Sequence, residues 1–538
     1  MQTLSQAAVR HLLSMAEPLL TWRCLLLVLT IYTFVYLLPL TIYRLYFSPV
    51  AAFPGPFLAK ITNWYEFYHN FVRTGMYYKE IYQMHEKYGM FAAEPDEVHQ
   101  AFSSSKHLGP VVRVSPEEIH VMDSAAYHKL FVTGAIRKTN SYPTFSNGTG
   151  FEDMTAISEE HNAHRRLRGP LDRLFSRQSV LRFESRVIAR TERFCNRLAA
   201  YRGSGQVVNL TNAISSLTTD IISSIIFEEP SDYLGDDKFN EEWYETLKMG
   251  TLSVPLFKRM SWIRGKLLRF LVTRATRWTV WDEKARRQIM LIRKRPSDKA
   301  KTRDETTVLE HLVHSELVEK EFGNGGFARL AQLIQQAGAH NVSHTLSTII
   351  TYLLLDQEKL GRLREELELI WATSKTGDPS WLELEKAPYL SACVNEGLRM
   401  AIGGMNRTPR VFPDDDVEIC SWVIPKGTPI SMSTYWMHND SVVFPNPESF
   451  EPARWIEAEP DRLKVMQAHF VPFAKGSRAC VGQNLVHMQL YHTLARIFRP
   501  GTLELTLHDT KLRDIVAVHG LLFPLPPLDS NGVRVTIS

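Results

Sequence analysis

The chain has 538 residues, 44% hydrophobic and 22% charged, the balance of an ordinary globular protein with ample material for a large core. A formal net charge of +4 is too small to mark a nucleic-acid binder, and neither a zinc-ligand spacing nor a basic tail occurs. The five cysteines, at 24, 195, 393, 420 and 480, are few, odd in number and scattered, which excludes a disulfide framework and points to a reduced compartment. Residues 25–43 (LLLVLTIYTFVYLLPLTIY) run without a charge and are long enough to span a bilayer as one helix. A secretory leader would be shorter and would end at a small-residue cleavage site, which is missing. Pro39 is placed to kink the end of this helix, and Tyr32, Tyr36, Tyr43 and Tyr46 suit the membrane interface. Residues 1–24 form a tail, and 44–60 a linker that holds the rigid turn Phe53-Pro54-Gly55-Pro56.

Residues 61–88 are predicted helical, and 110–121 predict a strand. Residues 141–154, rich in Gly, Ser, Thr and Asn, read as loop, and Asn147-Gly-Thr and Asn209-Leu-Thr match the glycosylation sequon. In the stretch His161-Asn-Ala-His164-Arg165-Arg166-Leu-Arg168, helical spacing puts His161 and Arg165 one turn apart. Residues 180–320 alternate amphipathic helical runs with charged stretches, and 284–305 read as a solvated connector. Residues 327–355 form a long, largely apolar helical stretch containing Ala337-Gly338-Ala339-His340-Asn341. Polar groups buried in such a helix need partners, so His340 and Asn341 fit a water network, with Thr345 a turn further on able to hold a water. His340 and His344 also have metal-pair spacing, but no third ligand lies nearby. Glu396-Gly-Leu-Arg399 puts acid and guanidinium on one helix face. The alternation from 416 to 431, with Pro-Lys-Gly as a turn, predicts a hairpin.

The stretch Phe473-Ala-Lys-Gly476-Ser-Arg478-Ala-Cys480-Val-Gly482 carries the strongest signal. A cysteine that holds iron as thiolate needs backbone N–H groups aimed at its sulfur, and glycines let the backbone close in. Phe, Gly, Arg, Cys and Gly fall in the order of F-x-x-G-x-R-x-C-x-G, so the chain resembles the cytochrome P450 family. The resemblance implies a mainly α fold with small β-sheets, a haem-thiolate catalytic domain over 61–538 behind one N-terminal transmembrane helix. It implies Cys480 as axial ligand of haem b, with Phe473, Gly476, Arg478 and Gly482 around it. Further cofactor contacts are implied for His161 and Arg165, which resemble the W-x-x-x-R pair, and for Arg407, with Arg410 close behind. Gly338, His340 and Asn341 stand in the A-G-x-[D/E]-T oxygen-handling motif, departing from it at the acid and the threonine. Glu396, Arg399 and Arg454 form the implied structural triad.

The implied activity is a monooxygenase using O2 and NADPH through a reductase partner, acting on a lipophilic terpenoid or polyketide, without nucleic acid. Arg166, Arg168 and Arg173 are candidates for the reductase-docking patch. The implied location is the endoplasmic reticulum membrane, single-pass, with the domain facing the cytosol. Phrases around the hinge, the first strand and residues 161–180 resemble fungal members of the trichodiene-oxygenase-like group. The departure at His340-Asn341 leaves open a peroxide isomerase or dehydratase, or a catalytically impaired haem protein. In similar fungal sequences the phrase ending at Gly89 runs directly into the strand at Pro110, so residues 90–109 read as an insertion. Its ends can be encoded with a splice donor and acceptor, which makes a retained intron one reading and a natural surface loop the other.

Overall fold

The computed structural model describes residues 22–88, 109–133, 137–142, 159–260, 278–294 and 306–538. The N-terminal tail, most of the 141–154 loop with Asn147, residues 90–108 and the latter half of the charged connector lie outside the described residues. What is described is mainly helical with small sheets, as the resemblance implies.

The apolar segment forms one helix long and apolar enough to cross a membrane, Cys24–Phe47, with none of its most apolar stretch buried against the rest of the chain. Pro39 has no N–H to donate, and the turns at Tyr32–Leu37 and Tyr43–Phe47 on either side widen to π geometry. Below it, the fully buried Arg113 donates to four backbone carbonyls: Arg44 (2.9 Å), Lys60 (3.3 Å), Ser115 (3.3 Å) and Pro116 (2.7 Å). Its own N–H donates to Pro54 O at 2.7 Å. One side chain therefore joins the foot of the anchor, the linker and the first strand.

We label seven helices: α1 (Tyr77–Tyr88), α2 (His161–Leu174), α3 (Leu210–Ile226), α4 (Glu241–Arg259), α5 (Glu316–Leu355), α6 (Pro388–Ala401) and α7 (Gln483–Phe498). α5 is apolar on most faces over its second half and forms the axis of the main core, with α3, α6 and α7 packed on it. α3 starts at Asn209, whose Oδ1 accepts from Asn212 N–H (3.1 Å), so the second sequon serves as a helix cap.

A five-stranded sheet lies to one side. Its strands are β1 (Val111–Arg113), β2 (Ile119–Val121), β3 (Asn140–Ser141), β4 (Arg410–Val411) and β5 (Pro429–Ser431), in the order β1-β2-β5-β4-β3. Only β2 and β5 run parallel among these pairs. The expected hairpin pairs Val417–Ile419 with Trp422–Ile424, but it turns at Cys420 and Ser421, with φ 48° and 63°, rather than at Pro-Lys-Gly. Two left-handed residues give the twist a two-residue hairpin needs. Pro-Lys-Gly forms the next turn, in which Gly427 N–H donates to Phe412 O at 2.8 Å. A last hairpin pairs β6 (His519–Gly520) with β7 (Pro524–Leu525).

The ends of the insertion meet. Gly109 N–H donates to His85 O (3.3 Å), the bond that the residue four places along a helix makes, and His85 Nδ1–H donates to Gly109 O (2.6 Å). Gly89 is the residue four places after His85, so removing residues 90–109 would leave a glycine before Pro110 with the same bonds in reach. Deleting residues 90–109 is expected to preserve the haem spectrum and the thermal midpoint. A deletion protein that no longer takes up haem would sink this reading.

From His85 the bonding continues: its Nε2 accepts from His120 Nδ1–H (2.8 Å), and His120 Nε2 accepts from the Ser433 hydroxyl (3.1 Å). Burial holds His85 at about 4 and His120 well below the ordinary value, so both are neutral when folded. The unfolded chain binds those protons first, near 6.5. Their stabilisation is complete above that pH and is lost as pH falls from about 6.5 towards 4. Thermal midpoints should drop steadily over that window, and less steeply in His120→Asn than in the parent.

Candidate active site

The loop 473–482 is a tight backbone cradle. Cys480 N–H donates to Phe473 O (2.8 Å), Ala479 N–H to Gly476 O (3.1 Å) and Ser477 N–H to Val132 O (3.1 Å). Gly476 takes φ 78° and lies against the backbone of Phe131 and Val132, where a Cβ has no room. Gly482 opens α7, and the N–H groups of Gly482 and Gln483 reach the Cys480 sulfur. Burial raises the thiol pKa, while those two N–H groups and the charge of Arg168 pull it back towards thiolate. Phe473 packs beside His487 of α7, with ring centroids 5.3 Å apart.

The buried triad hangs this loop from the core. Glu396 accepts from Arg399 Nε (2.9 Å) and Nη2 (2.8 Å), Arg454 Nε (3.0 Å), Trp455 Nε1 (2.9 Å) and the Glu451 N–H (3.0 Å). Arg399 also donates to His438 O (3.0 Å), His438 Nδ1–H donates to Arg399 O (3.1 Å), and His438 Nε2 accepts from Val471 N–H (3.0 Å). Val471 lies two residues before Phe473, so the triad's rigidity is carried into the cysteine loop.

On α2 the register differs from the expected one. The buried stripe is His161, His164, Leu167, Leu171 and Leu174, centred near His164 and Leu171. At about 100° per residue, Arg165 lies well round from that centre, and it is exposed with Arg166 and Arg173. Arg168 is turned inward: its charge acts on Cys480 and on His164, and its Nε donates to Asp172 (2.6 Å). The pair with the right spacing on the inner face is thus His164 and Arg168. The sequence held the same H-x-x-x-R pattern twice, and the apolar phase of the helix picks the second.

Arg407 is corrected in the same way. Four of its five N–H donors go to Glu118 (2.6 and 2.9 Å) and Glu66 (2.9 and 3.3 Å), and its charge is met by those two carboxylates, so it serves an internal ion cluster. Arg410 is buried with one bond, to Pro409 O at 3.2 Å, and among the described residues no carboxylate pairs with it. Burial lowers its pKa to about 10. Burial and then the charges of Arg478, Arg168 and Arg410 drive His164 to about 3. His164 Nε2 and His161 Nδ1 are buried without protein partners. Arg478 donates to Glu159 O at 3.0 Å.

On α5, Gly338 faces α3: a Cβ there would stand 2.8 Å from Ile222 Cγ1, so the glycine serves helix packing and not oxygen. Ala337, one residue earlier, is the exposed position, and Asn341 follows it one turn on, with Oδ1 buried and unpartnered. Thr345 donates its hydroxyl to Asn341 O (2.9 Å), so its oxygen is left only as an acceptor. His340 points elsewhere: Nε2–H donates to Pro524 O (3.3 Å), and the ring lies 4.7 Å from Phe523 and 6.5 Å from Tyr244. Burial lowers it to about 4, so it is neutral at working pH. Among the described residues no cluster could hold a metal ion in the manner of a His340–His344 pair.

The family description Cytochrome P450 matches residues 67–529. The chain belongs to the cytochrome P450 family. It is 36% identical over 520 residues to cytochrome P450 monooxygenase oblB of Emericella variicolor, covering 93% of this chain and 90% of the relative. It is 34% identical over 513 residues to fusicoccadiene C-8 hydroxylase of Phomopsis amygdali, covering 92% and 93%. To stellatic acid synthase of Emericella variicolor it is 32% identical over 529 residues, covering 94% and 93%. These relatives support the monooxygenase over the isomerase or dehydratase, and this P450 is an oxidoreductase that takes haem, O2 and electrons from a redox partner.

The residues present fit haem. A sulfur met by two N–H groups suits an iron-bound thiolate. Arg410, buried without a carboxylate among the described residues, and the orphaned ring nitrogens of His161 and His164 suit the carboxylates that haem brings, with Arg168 and Arg478 acting on the same His164. Two substitutions separate cofactor contact from fold support. Arg410→Met is expected to weaken haem retention in dialysis with little change in the apoprotein's melting temperature. Arg407→Met leaves Glu118 without a cation and Glu66 with Lys258 alone, and should cost about 3–5 kcal/mol of stability in denaturant titration.

Proposed function

We propose that this P450 hydroxylates a C–H bond of a lipophilic terpenoid in fungal secondary metabolism, holding haem b on Cys480 and drawing NADPH electrons through a membrane reductase. The observation that carries this reading is the Cys480 seat, with its two N–H groups, together with a buried Arg410 that no carboxylate among the described residues pairs with. Bound there, haem supplies the redox chemistry that activates O2. The residues of the chain do the rest: Arg168, Arg410, Arg478 and His164 receive the haem carboxylates, and Glu396, Arg399 and Arg454 keep the loop in shape. Asn341, with an unpartnered buried oxygen, holds the water that delivers protons. His340, neutral and tied to Pro524 O, positions the C-terminal turn over the pocket.

The substrate class rests on the relatives named for fusicoccadiene hydroxylation and stellatic acid synthesis. The exposed Arg165, Arg166 and Arg173 on the outer face of α2 suit an acidic flavoprotein surface. The helix Cys24–Phe47, with exposed Phe57, Leu58, Trp64, Tyr68 and Val72 just beyond it, supports an endoplasmic-reticulum anchor with the domain on the cytosolic side. All cysteines in the described residues are free, in keeping with that compartment.

A reduced, CO-bound difference spectrum tests the seat: the thiolate band should be present in the parent and absent in Cys480→Ala. For the proton route, Asn341→Ala is expected to lower product formed per NADPH by roughly 10²-fold with the CO band intact. His340→Ala should instead raise KM and alter the product pattern while coupling is kept. Equal coupling in Asn341→Ala and the parent would remove Asn341 from the route.

A further inference from the structure

Three residues of α5 share one face: Ala337, with Asn341 about 40° to one side of it and His340 about 60° to the other, at roughly 100° per residue. Ala337 is the exposed member, and each flank meets a different segment of the chain. On the Asn341 side lies the stretch that follows α6, where a Cβ on Gly403 would stand 3.6 Å from Asn341 Cγ. On the His340 side lies the turn between β6 and β7, with the Phe523 ring 4.7 Å from the imidazole and Pro524 O accepting from Nε2–H at 3.3 Å. Asn406 joins the two flanks, because its Nδ2–H donates to Leu521 O at 2.5 Å.

The segment that carries Asn406 is fixed at both ends. Ile402, which closes α6, is β-branched yet takes φ 41° and ψ 81°, a left-handed backbone that such a side chain rarely adopts. Burial against Tyr78 and Met405 holds it there. At the other end Arg407 is bound by Glu66 and Glu118. The turn is built differently. Its base is pinned close to the backbone: Gly520 N–H donates to Gly75 O (2.9 Å), Val518 N–H to Leu525 O (2.9 Å) and His519 Nδ1–H to Thr74 O (2.6 Å). Its tip, with Leu522 and Phe523 half-buried, is met from outside the hairpin by Asn406 on Leu521 O and by His340 on Pro524 O. A rigid segment and a rigid helix thus hold the tip at either end, beside the face on which Ala337 and Asn341 lie.

We propose that Asn406 is a positioning residue for the oxidation: with His340 it suspends the C-terminal turn from two points, and the fixed stand of that turn decides which side of a lipophilic substrate is presented to the haem. This rests on the reading of the turn as a wall of the P450 pocket, and the test separates the two. The ferric holoenzyme is titrated with the isomers 1-phenylimidazole and 4-phenylimidazole, which carry the phenyl ring at different positions of the same imidazole, and Kd is read from the Soret shift. The parent should prefer one isomer by about tenfold or more. Asn406→Ala should shrink that preference about fivefold, the worth of one neutral hydrogen bond. Asn406→Asp keeps the shape but sets an acceptor against Leu521 O, so at about pH 8, where a carboxyl is ionised, it should shrink the preference further than Asn406→Ala. A residue that merely fills space would give the reverse order. His340→Ala, which frees the other end, should shrink it too, and the CO band and thermal midpoint of Asn406→Ala should match the parent's. A parent that binds both isomers alike, an unchanged preference in Asn406→Ala, a milder effect of Asn406→Asp, or loss of haem from Asn406→Ala would overturn the role of Asn406. If His340→Ala shifts the preference and Asn406→Ala does not, the reading of the turn stands without Asn406; if neither shifts it, both fall. A parent without the thiolate CO band would overturn the P450 reading, and the proposal with it.

Discussion

Glu396 is a carboxylate with no solvent exposure, and five N–H groups converge on it. Those donors come from α6, from the turn at 451 and from the short helix Arg454–Glu457, so one side chain sets the relative position of three segments. Its partner Arg399 extends the lattice through His438 to Val471, the residue from which the cysteine loop departs. A planar guanidinium can serve a carboxylate and two carbonyls at once, which lysine cannot. The place of the cysteine loop is therefore determined from the segment that leads into it.

What the sequence made legible was what local spacing decides. The cysteine loop, the Glu396–Arg399 turn and the membrane helix each depend on residues a few positions apart, and each is found where the pattern put it. The misplacements share one cause, partners far along the chain. Arg407 is claimed by Glu66 and Glu118, 341 and 289 residues away, and no local reading of Arg407-Thr-Pro-Arg410 distinguishes the two arginines. Gly338 is small because of Ile222, and His340 is polar because of Pro524 O. The α2 pair is the exception: its correct register was present in the heptad-like phase of Leu167, Leu171 and Leu174, one turn beyond the first match.

Two arginine environments three residues apart show how the fold sorts charge. Around Arg407, two carboxylates are met by two cations, the guanidinium itself and Lys258 on the far side of Glu66. Around Arg410, which no carboxylate among the described residues meets, further cationic groups gather, and burying its charge there costs stability. An anion bound there would link its binding to folding, because it would relieve a repulsion that the polypeptide carries alone.

Arg113 gives the domain a fixed bearing. Its guanidinium spans carbonyls of Arg44 at the foot of the membrane helix, Lys60 in the linker and Ser115 and Pro116 in the sheet, and it has no exposure through which water could replace them. The catalytic domain is accordingly not tethered like a float on a string. It stands on the apolar N-terminal helix as on a bracket, so the direction of that helix and the heading of the domain are set together. Shortening the chain to make it soluble has a natural limit for the same reason: a cut beyond Arg44 would strip a buried cation of an acceptor and loosen the first strand with it.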